Sequence, residues 1–526
     1  MSTHLENTAA PEEKKNTASP LERMSQAWVS SMFDWNKGLM QASADFGNLY
    51  TKTIASYMSN QTPAKVLEGM TGNPFDMVRA YVGMNETLMD AWFGASQSAM
   101  EYTGERMKEF LEAAETGDPE KMAELFERQA EILDMVANKK PEMREKIKAE
   151  YGLHFENEKE YRKVSESPRA VVYQVVPLER GVEVDMSAKP ALFVSPFILT
   201  DGIQGILPHE GVSLVHSFAN KGTPTYIVHY KDILETPEVQ TMKIEDVIDD
   251  IGQFAGQLKG LHQREVTVVG TCQGAAVALA GGISGKWKGT VDAIIQNVPP
   301  NDLSRSPEWK KYLATVPPSQ QDIDNITVTL PNGNKVILGE AASLSMRLKN
   351  IRETNPFTSF VNEIKGAGSE KGVTKFGLAI EAWLGKMVPL PYFLSKDFSE
   401  LTARTPIGDD PNGKMPYKLY GQEAHLSSLM GNVKYIHAIG GDTDDVCSPE
   451  VVRSIFEHPA LRDNPNATVV FVKGGHIVPM TSAVIKGNKP GGVYAENGSY
   501  FMHQKFDKLT RPEEKEEEEE EWLMAA

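Results

Sequence analysis

Cysteine is scarce in this chain, with only Cys272 and Cys447 among 526 residues. Two cysteines cannot build a disulfide framework, so an apolar core must hold the fold, and both are expected as reduced thiols. Positive charge is also in deficit, because 54 Lys and Arg face 72 Asp and Glu, a formal net charge of -18. A net acidic field repels phosphates, so the composition argues against nucleic acid as a partner.

Long apolar runs are missing as well. No stretch reaches the ~18 uninterrupted apolar residues of a membrane span, and the first residues lack the apolar core of a signal peptide. A cytoplasmic protein without a transmembrane segment is therefore expected. The sequence also lacks a dense group of metal-ligating side chains, a phosphate-binding glycine loop and a dinucleotide motif. It predicts no metal and no cofactor.

The residue composition and hydrophobic pattern change along the sequence. Residues 1–20 are polar and are predicted to be a disordered tail, as is the glutamate-rich stretch 511–526. From 21 to 150, apolar positions recur every three or four residues, beginning at Trp28, which predicts a helical N-terminal domain. These helix faces either pack in a core, the plainer interpretation, or meet an apolar surface such as a lipid or polymer inclusion.

Residues 160–510 are predicted to form an α/β catalytic domain. Short β-branched runs such as ALFVSP, TYIVHY and VTVVG alternate with helical stretches, the pattern of a parallel sheet covered on both faces. Residues of about 303–430 lose this rhythm and are predicted to be a cap insertion. Within the cap, Asn332-Gly333 predicts the turn of a β-hairpin.

One cysteine lies in a stretch with a signature of its own, GTCQG, at 270–274. An apolar run precedes it and an alanine-rich segment follows, which predicts a strand, a sharp turn and a helix. Flanking glycines let the backbone turn tightly enough to raise the central side chain above the sheet, as in a nucleophile elbow. Helix N-terminal amides lower the pKa of a thiol, so Cys272 is the predicted nucleophile. A small buried cysteine between packing glycines is the alternative.

A thiol nucleophile needs a base and an orienting acid, and both follow in the chain order of the α/β-hydrolase fold. His476 comes after the last apolar run and is the predicted base. Asp442, Asp444 and Asp445 come after the run before it, and each is a candidate acid. One of the three could instead hold the turn through an Asx hydrogen bond.

The oxyanion hole of this fold uses two backbone amides. One belongs to the residue after the nucleophile, here Gln273. The other belongs to a loop after an earlier strand, where Phe197 is predicted because the preceding Pro196 has no N–H. Cys447 is interpreted as structural, because it follows the acid loop without a base of its own.

Taken together, these motifs resemble the polyhydroxyalkanoate synthases. The resemblance rests on the Gly-x-Cys-x-Gly box, the late Asp, KGGHI, EGVSLVHSFANKGTPTYIVHYKD and the helical N-terminus, and it covers roughly 185–480. Three segments depart from the pattern: SPFILTDG replaces Pro-Trp-x-Asn, DDVCSP replaces Asp-His-Ile-x-Pro-Trp, and His229-Tyr230 stands where a Trp is usual. DDVCSP and the Cys-Gln pair look more like the intracellular polyhydroxyalkanoate depolymerases, which also use Cys, Asp and His.

The resemblance implies an acyl-enzyme mechanism in which Cys272 attacks a 3-hydroxyacyl-CoA or a polyester link. The depolymerase loop pattern carries Asp444 over as the acid, whereas the synthase spacing carries over Asp445. The implied activity is acyl transfer to a growing polyester chain. Hydrolysis of intracellular polyester or of an acyl thioester is one alternative, and a granule-associated binding protein with a degenerate hydrolase frame is another. The resemblance also implies a homodimer and contact with polyester granules.

Overall fold

The computed structural model describes residues 18–60, 74–148, 153–197, 201–310, 323–324, 326–385, 387–399 and 406–481. The predicted acidic tail at 511–526, residues 1–17 of the predicted N-terminal tail and the last part of the predicted catalytic domain, 482–510, lie outside these ranges. The predicted domain boundaries stay predictions.

Thirteen strands are found in the described part of the chain. They are β1 Tyr161–Glu166, β2 Ala170–Val175, β3 Ala191–Val194, β4 Thr225–Tyr230, β5 Val266–Thr271, β6 Val291–Asn297, β7 Thr327–Thr329, β8 Lys335–Ile337, β9 Leu390–Pro391, β10 Lys414–Leu419, β11 Gln422–His425, β12 Tyr435–Gly441 and β13 Ala467–Val472. Eight of them form one sheet in the order β1-β2-β4-β3-β5-β6-β12-β13. Strand β2 is antiparallel to both neighbours and the remaining pairs are parallel. This order, with helices on both faces, confirms the predicted α/β-hydrolase fold.

The helices of the described residues are listed in chain order. They are α1 Pro20–Ser59, α2 Pro74–Glu115, α3 Pro119–Asp134, α4 Lys140–Ile147, α5 Leu214–Ala219, α6 Pro237–Gln240, α7 Ile244–His262, α8 Gln273–Ser284, α9 Gly339–Lys349, α10 Ile351–Thr354, α11 Pro356–Ala367, α12 Lys375–Leu384, α13 Tyr392–Ser399, α14 Leu429–Asn432 and α15 Pro449–Glu457. A π-helical turn, Met135–Lys139, joins α3 to α4. Helices α7, α8 and α15 bury their apolar sides against one face of the main sheet, and α5 packs on the other.

The N-terminal region is helical, as the sequence predicts. Helix α1 begins at a capping box, since the Ser19 hydroxyl accepts a hydrogen bond from the Glu22 amide (3.3 Å) and the Glu22 carboxylate accepts one from the Ser19 amide (2.8 Å). The predicted stripe is only partly buried, because Trp28 is 54% exposed whereas Leu49 is 1% exposed. Some of its large apolar side chains therefore face solvent rather than a core.

The N-terminal helices pack on the cap, which is inserted between β6 and β12. On α1, the Trp35 ring stacks on Tyr102 of α2 (5.4 Å between centroids) and meets Phe360 of α11 edge-on (5.1 Å). Lys140 of α4 is buried and forms ion pairs with Glu363 (3.0 Å) and Glu381 (2.8 Å) of the cap. Ring contacts and buried ion pairs thus anchor the N-terminal helices to the cap.

Inside the cap, the predicted hairpin is confirmed. Strands β7 and β8 pair antiparallel, with Thr329 opposite Lys335. Gly333 has φ +86°, a left-handed conformation that glycine adopts without steric cost. The Asn-Gly signal therefore identified the turn correctly.

Candidate active site

Cys272 lies at a sharp turn between β5 and α8. Its backbone has φ 50° and ψ −114°, a conformation that costs a non-glycine residue about 1–3 kcal/mol. The strain is held in place because the Cys272 amide donates to the carbonyl of Asn297 at the end of the neighbouring strand β6 (2.8 Å). The turn lifts the half-buried thiol beyond the carboxyl end of the sheet.

Glycine is required at both Gly270 and Gly274, because neither position has room for a side chain. A Cβ on Gly270 would lie 2.5 Å from the carbonyl oxygen of Gly274, and one on Gly274 would lie 2.2 Å from that of Val194. Helix α8 therefore starts in direct contact with both β5 and β3, and a side chain at either glycine would force the turn open. This geometry is that of a nucleophile elbow.

Asp444 and His476 lie at the same edge of the sheet, after β12 and β13. The Asp444 carboxylate is fully buried, and its Oδ2 is 2.7 Å from Nδ1 of His476. Its Oδ1 accepts the backbone N–H groups of Val446 (2.8 Å) and Cys447 (2.9 Å). Both oxygens are thus engaged, and the imidazole is held with Nε2 directed away from the acid.

The other two candidate acids have different surroundings. The Asp442 carboxylate accepts the amide of Gly474 (2.9 Å) and holds the turn before the histidine, the role that sequence reasoning allowed for one of the three. Asp445 lies at the surface, where its carboxylate accepts a hydrogen bond from Asn350 of the cap (3.5 Å). Asp444 is therefore the acid whose side chain reaches the imidazole.

Cys447, interpreted from the sequence as structural, lies close to Cys272 and His476. Its sulfur is within 4.8 Å of both the Cys272 sulfur and a ring nitrogen of His476. A hydrogen bond from Cys447 is the main cause that lowers the pKa of Cys272; burial opposes this, and the charge of His476 adds to it. No pattern in the sequence indicates this contact, because the two cysteines are far apart along the chain.

The pKa of His476 is shifted in the opposite direction, upward. Burial alone would lower the pKa of its imidazole, but the negative charge of Cys272 and the hydrogen bond to Asp444 outweigh burial and raise it. A lowered thiol pKa beside a raised imidazole pKa favours a thiolate–imidazolium pair at neutral pH. The site thus stabilises the reactive form of cysteine.

Phe197 and Gln273, the predicted oxyanion donors, lie at the ends of adjacent strands. Strands β3 and β5 are paired with Val194 opposite Gly270, and the two residues each follow this pair by three positions. Gln273 is the first residue of α8. The backbone amides at a helix N-terminus have no partner within the helix and point out of it, here toward the turn at Cys272. Phe197 is buried and packs edge-on against Phe398 of α13.

A buried network of hydrogen-bonded polar side chains lies next to the elbow, and the sequence did not predict it. The Ser195 hydroxyl donates to the Gln204 side chain (2.7 Å), and the Gln204 amide donates to the Thr271 hydroxyl (2.6 Å). All three side chains are fully buried. This network connects the loop after β3 to the residue before Cys272. The only signal for it in the sequence was that Ser195 and Thr271 lie near the predicted motifs.

An apolar wall borders the thiol on one side. Cys272 packs against a buried cluster that joins the loop after β3, the end of β6 and the cap helix α12. The cluster includes Leu207, Val298, Leu378 and Trp383. Such a surface suits an alkyl or acyl group rather than a charged one.

The described residues hold one close group of metal-ligating side chains, formed by Cys272, Cys447 and His476. None of the described helices combines the length and hydropathy that a bilayer-spanning helix needs.

No protein-family model matches the chain, and no curated protein matches its sequence. Solved structures that are similar include a monoacylglycerol lipase from Paleococcus ferrophilus, with 12% identity, TM-score 0.31, and coverage of 65% of this chain and 98% of the other. A soluble variant of monoglyceride lipase from Saccharomyces cerevisiae, in complex with a substrate analogue, has 12% identity, TM-score 0.36, and coverage of 67% and 96%. The thioesterase domain from the curacin biosynthetic pathway has 12% identity, TM-score 0.30, and coverage of 60% and 93%. The strand order and the elbow, rather than these matches, assign the chain to the α/β-hydrolase fold.

Proposed function

We propose that the chain is a cysteine-dependent acyltransferase of the polyhydroxyalkanoate synthase type, which carries a 3-hydroxyacyl group on Cys272 and transfers it to a growing polyester. The observation that carries the proposal is the approach of three side chains from the ends of β5, β12 and β13. The Cys272 thiol faces the His476 imidazole, which is hydrogen-bonded to Asp444 at 2.7 Å. This is the relation that a nucleophile, its base and an orienting acid require.

In the first half-reaction, the Cys272 thiolate attacks the carbonyl carbon of the acyl thioester. The tetrahedral oxyanion accepts hydrogen bonds from the amides of Gln273 and Phe197. When it collapses, the bond to the coenzyme A sulfur breaks, and His476 gives that sulfur its proton. Asp444 keeps the imidazole in the required tautomer and stabilises its positive charge.

In the second half-reaction, the hydroxyl end of the polyester attacks the acyl group on Cys272. His476 removes the hydroxyl proton, the new ester bond forms, and the Cys272 sulfur leaves as a thiolate. The apolar wall beside Cys272 supports this step, because it offers little to hold water and much to hold an acyl chain. Exclusion of water favours transfer over hydrolysis.

The second candidate function is hydrolysis of intracellular polyester or of an acyl thioester by the same triad. It is favoured by one observation, the likeness of the DDVCSP loop to the depolymerases. In that reaction water replaces the hydroxyl acceptor. A granule-associated binding protein is the remaining alternative. The strained backbone of Cys272 and the hydrogen bond between His476 and Asp444 argue against it.

Incubation with 3-hydroxybutyryl-CoA separates these functions. Release of coenzyme A thiol together with polymer is the expected result. Thiol release with free acid would favour a thioesterase, and breakdown of native polymer without thiol release would favour a depolymerase. No reaction with either substrate would favour the binding protein and contradict the proposal.

Two variants test the roles of the residues. Cys272→Ala should retain the fold and lower turnover on the order of 10⁴-fold or more. His476→Gln should slow acylation of Cys272 by about 10²–10⁴-fold. The matched control is His425→Gln, on the cap hairpin β10–β11, which should react as the unchanged protein does. Full activity in Cys272→Ala would refute the nucleophile assignment.

A further inference from the structure

The site contains one more thiol than the proposed reaction uses. Cys272, Cys447 and His476 place two sulfurs and a ring nitrogen within 4.8 Å of one another. Two thiolates and an imidazole are ligands that Zn²⁺ and other thiophilic divalent cations prefer, whereas Mg²⁺ and Ca²⁺ prefer oxygen. The three side chains therefore have the chemistry of a soft-metal site.

The distances are close to what a bound cation requires. Bond lengths of about 2.3 Å to sulfur and 2.0–2.1 Å to nitrogen place tetrahedral ligand atoms about 3.5–3.8 Å apart. Each pair of these atoms thus needs to approach by about 1.0–1.3 Å at most, a change within reach of side-chain rotations.

The surroundings also hold the ligands in position. Asp444 binds Nδ1 of His476 through Oδ2, which leaves Nε2 to face the thiols. Through Oδ1, the same carboxylate binds the backbone amide of Cys447. A carboxylate behind the histidine is the usual outer partner of a zinc ligand, since it fixes the tautomer and raises the basicity of the ring. One buried acid therefore orients two of the three ligands.

We propose that Cys272, Cys447 and His476 form a binding site for a thiophilic divalent cation, Zn²⁺ in particular, and that an occupied site blocks acyl transfer. The cation would take the sulfur lone pair with which Cys272 attacks and the Nε2 lone pair that accepts a proton. Protons still held by the ligands are released to solvent on binding. Three protein ligands leave a fourth position for water. Binding does not depend on the proposed acyltransferase function, whereas the block of acyl transfer rests on it.

Co²⁺ titration of the reduced, full-length protein tests the site without any substrate. The unchanged protein should bind one Co²⁺ per chain with a thiolate-to-cobalt charge-transfer band, and Zn²⁺ should displace it. Cys447→Ser should weaken binding by about 10-fold or more, and Asp444→Asn by about 10–100-fold. The chain has only two cysteines, so the double variant Cys272→Ser/Cys447→Ser should lose the band entirely.

The controls separate the site from other cation binding. His425→Gln should bind Co²⁺ as the unchanged protein does, and circular dichroism should show that each variant is folded. Absence of a charge-transfer band in the unchanged protein, or equal affinity in Cys447→Ser, would overturn the proposal.

Thiol release from 3-hydroxybutyryl-CoA tests the block separately. Zn²⁺ should suppress it, and a chelator should restore it. Cation binding that leaves thiol release unchanged would refute the block while the site stands. Binding in a protein that releases no thiol even without metal would instead count against the acyltransferase proposal.

Discussion

Asp444 is the residue through which the parts of the site are connected. One of its oxygens holds the imidazole of His476, and the other holds the amides of Val446 and Cys447. Because the carboxylate is fully buried, water does not replace either contact. Its role can be tested apart from its effect on the loop, since asparagine keeps one carbonyl oxygen.

Asp444→Asn should leave the fold intact and lower the rate of Cys272 acylation by about 10²–10⁴-fold. The asparagine oxygen can still accept the two backbone amides, but its NH₂ group can only donate to Nδ1, which forces the imidazole into the wrong tautomer. The measurement is the rate of thiol release under single-turnover conditions, with the unfolding midpoint as a check on the fold.

Asp445→Asn is the matched control, because its side chain lies at the surface beside Asn350. It should change the acylation rate by less than about twofold. The reverse pattern, a large loss in Asp445→Asn and a small one in Asp444→Asn, would assign the acid to Asp445.

The residues predicted Cys272, His476 and an acid among Asp442, Asp444 and Asp445, because each of these positions follows an apolar run in a known order, and the resemblance to the depolymerase loop carried over Asp444. It could not predict the position of Cys447, since a buried contact between distant loops leaves no periodic signal in either. Position in the chain alone could not choose among Asp442, Asp444 and Asp445, because hydrogen bonds to the loop itself decide which of three neighbouring carboxylates turns inward.

At the level of elements, the elbow depends on contact between α8 and the two strands behind it. Gly274→Ala should destabilise the protein by about 1–3 kcal/mol and slow acylation, because the new methyl group would overlap the Val194 carbonyl oxygen. Unfolding by denaturant and single-turnover kinetics measure the two effects. Gly260→Ala on α7 meets open space and should be neutral or stabilising by about 0.5–1 kcal/mol. Equal effects of the two substitutions would contradict this account of the elbow.

The packing of the N-terminal helices on the cap gives a second test at this level. Trp35→Ala removes an indole that contacts both α2 and α11, and should cost about 3 kcal/mol. Phe33 lies on a different side of α1 from Trp35 and is 71% exposed. Phe33→Ala should therefore lower the free energy of unfolding by less than about 0.5 kcal/mol. Protease cleavage of α1 and the thermal unfolding midpoint report the difference. Similar cleavage of both variants would show that the interface does not hold α1 in place.

Most strands of the main sheet could be predicted because parallel strands covered on both faces are continuous apolar runs, as in β3 and β5. Strand β1 could not, since YRKVSE is largely exposed at the edge of the sheet and shows no apolar pattern. The helix stripe from Trp28 predicted a helix correctly but not its partner. Apolar spacing specifies a face, and only the fold specifies what lies against it.

For the whole molecule, a buried histidine couples stability to pH. Burial, with a smaller effect from the charge of His209, lowers the pKa of His216 to about 3 from 6.5. The ring also faces Tyr161 edge-on at 5.4 Å, and its Nδ1 is 2.9 Å from the Ser213 hydroxyl. The unfolded chain therefore binds a proton between pH 6.5 and 3 that the folded chain does not.

This contribution to stability is fully present above pH 6.5 and is lost as the pH falls. The loss should approach about 1.4 kcal/mol per pH unit below 6.5. His216→Gln should reduce that slope, whereas His425→Gln should keep it. Denaturant unfolding at several values between pH 5 and 8 measures the slope. An unchanged slope in His216→Gln would mean that other groups account for the acid sensitivity.

The insertion of the cap between β6 and β12 has a consequence for biosynthesis. Strand β6 is buried on both faces in the finished sheet, but its partner β12 emerges from the ribosome only after the whole cap. At about 5–20 residues per second, the roughly 140 residues between β6 and β12 take about 7–30 s to translate. Throughout that time β6 is an open, apolar edge of the kind that pairs with strands of other chains. Translation of the cap is therefore the period in which the nascent protein most needs protection from aggregation.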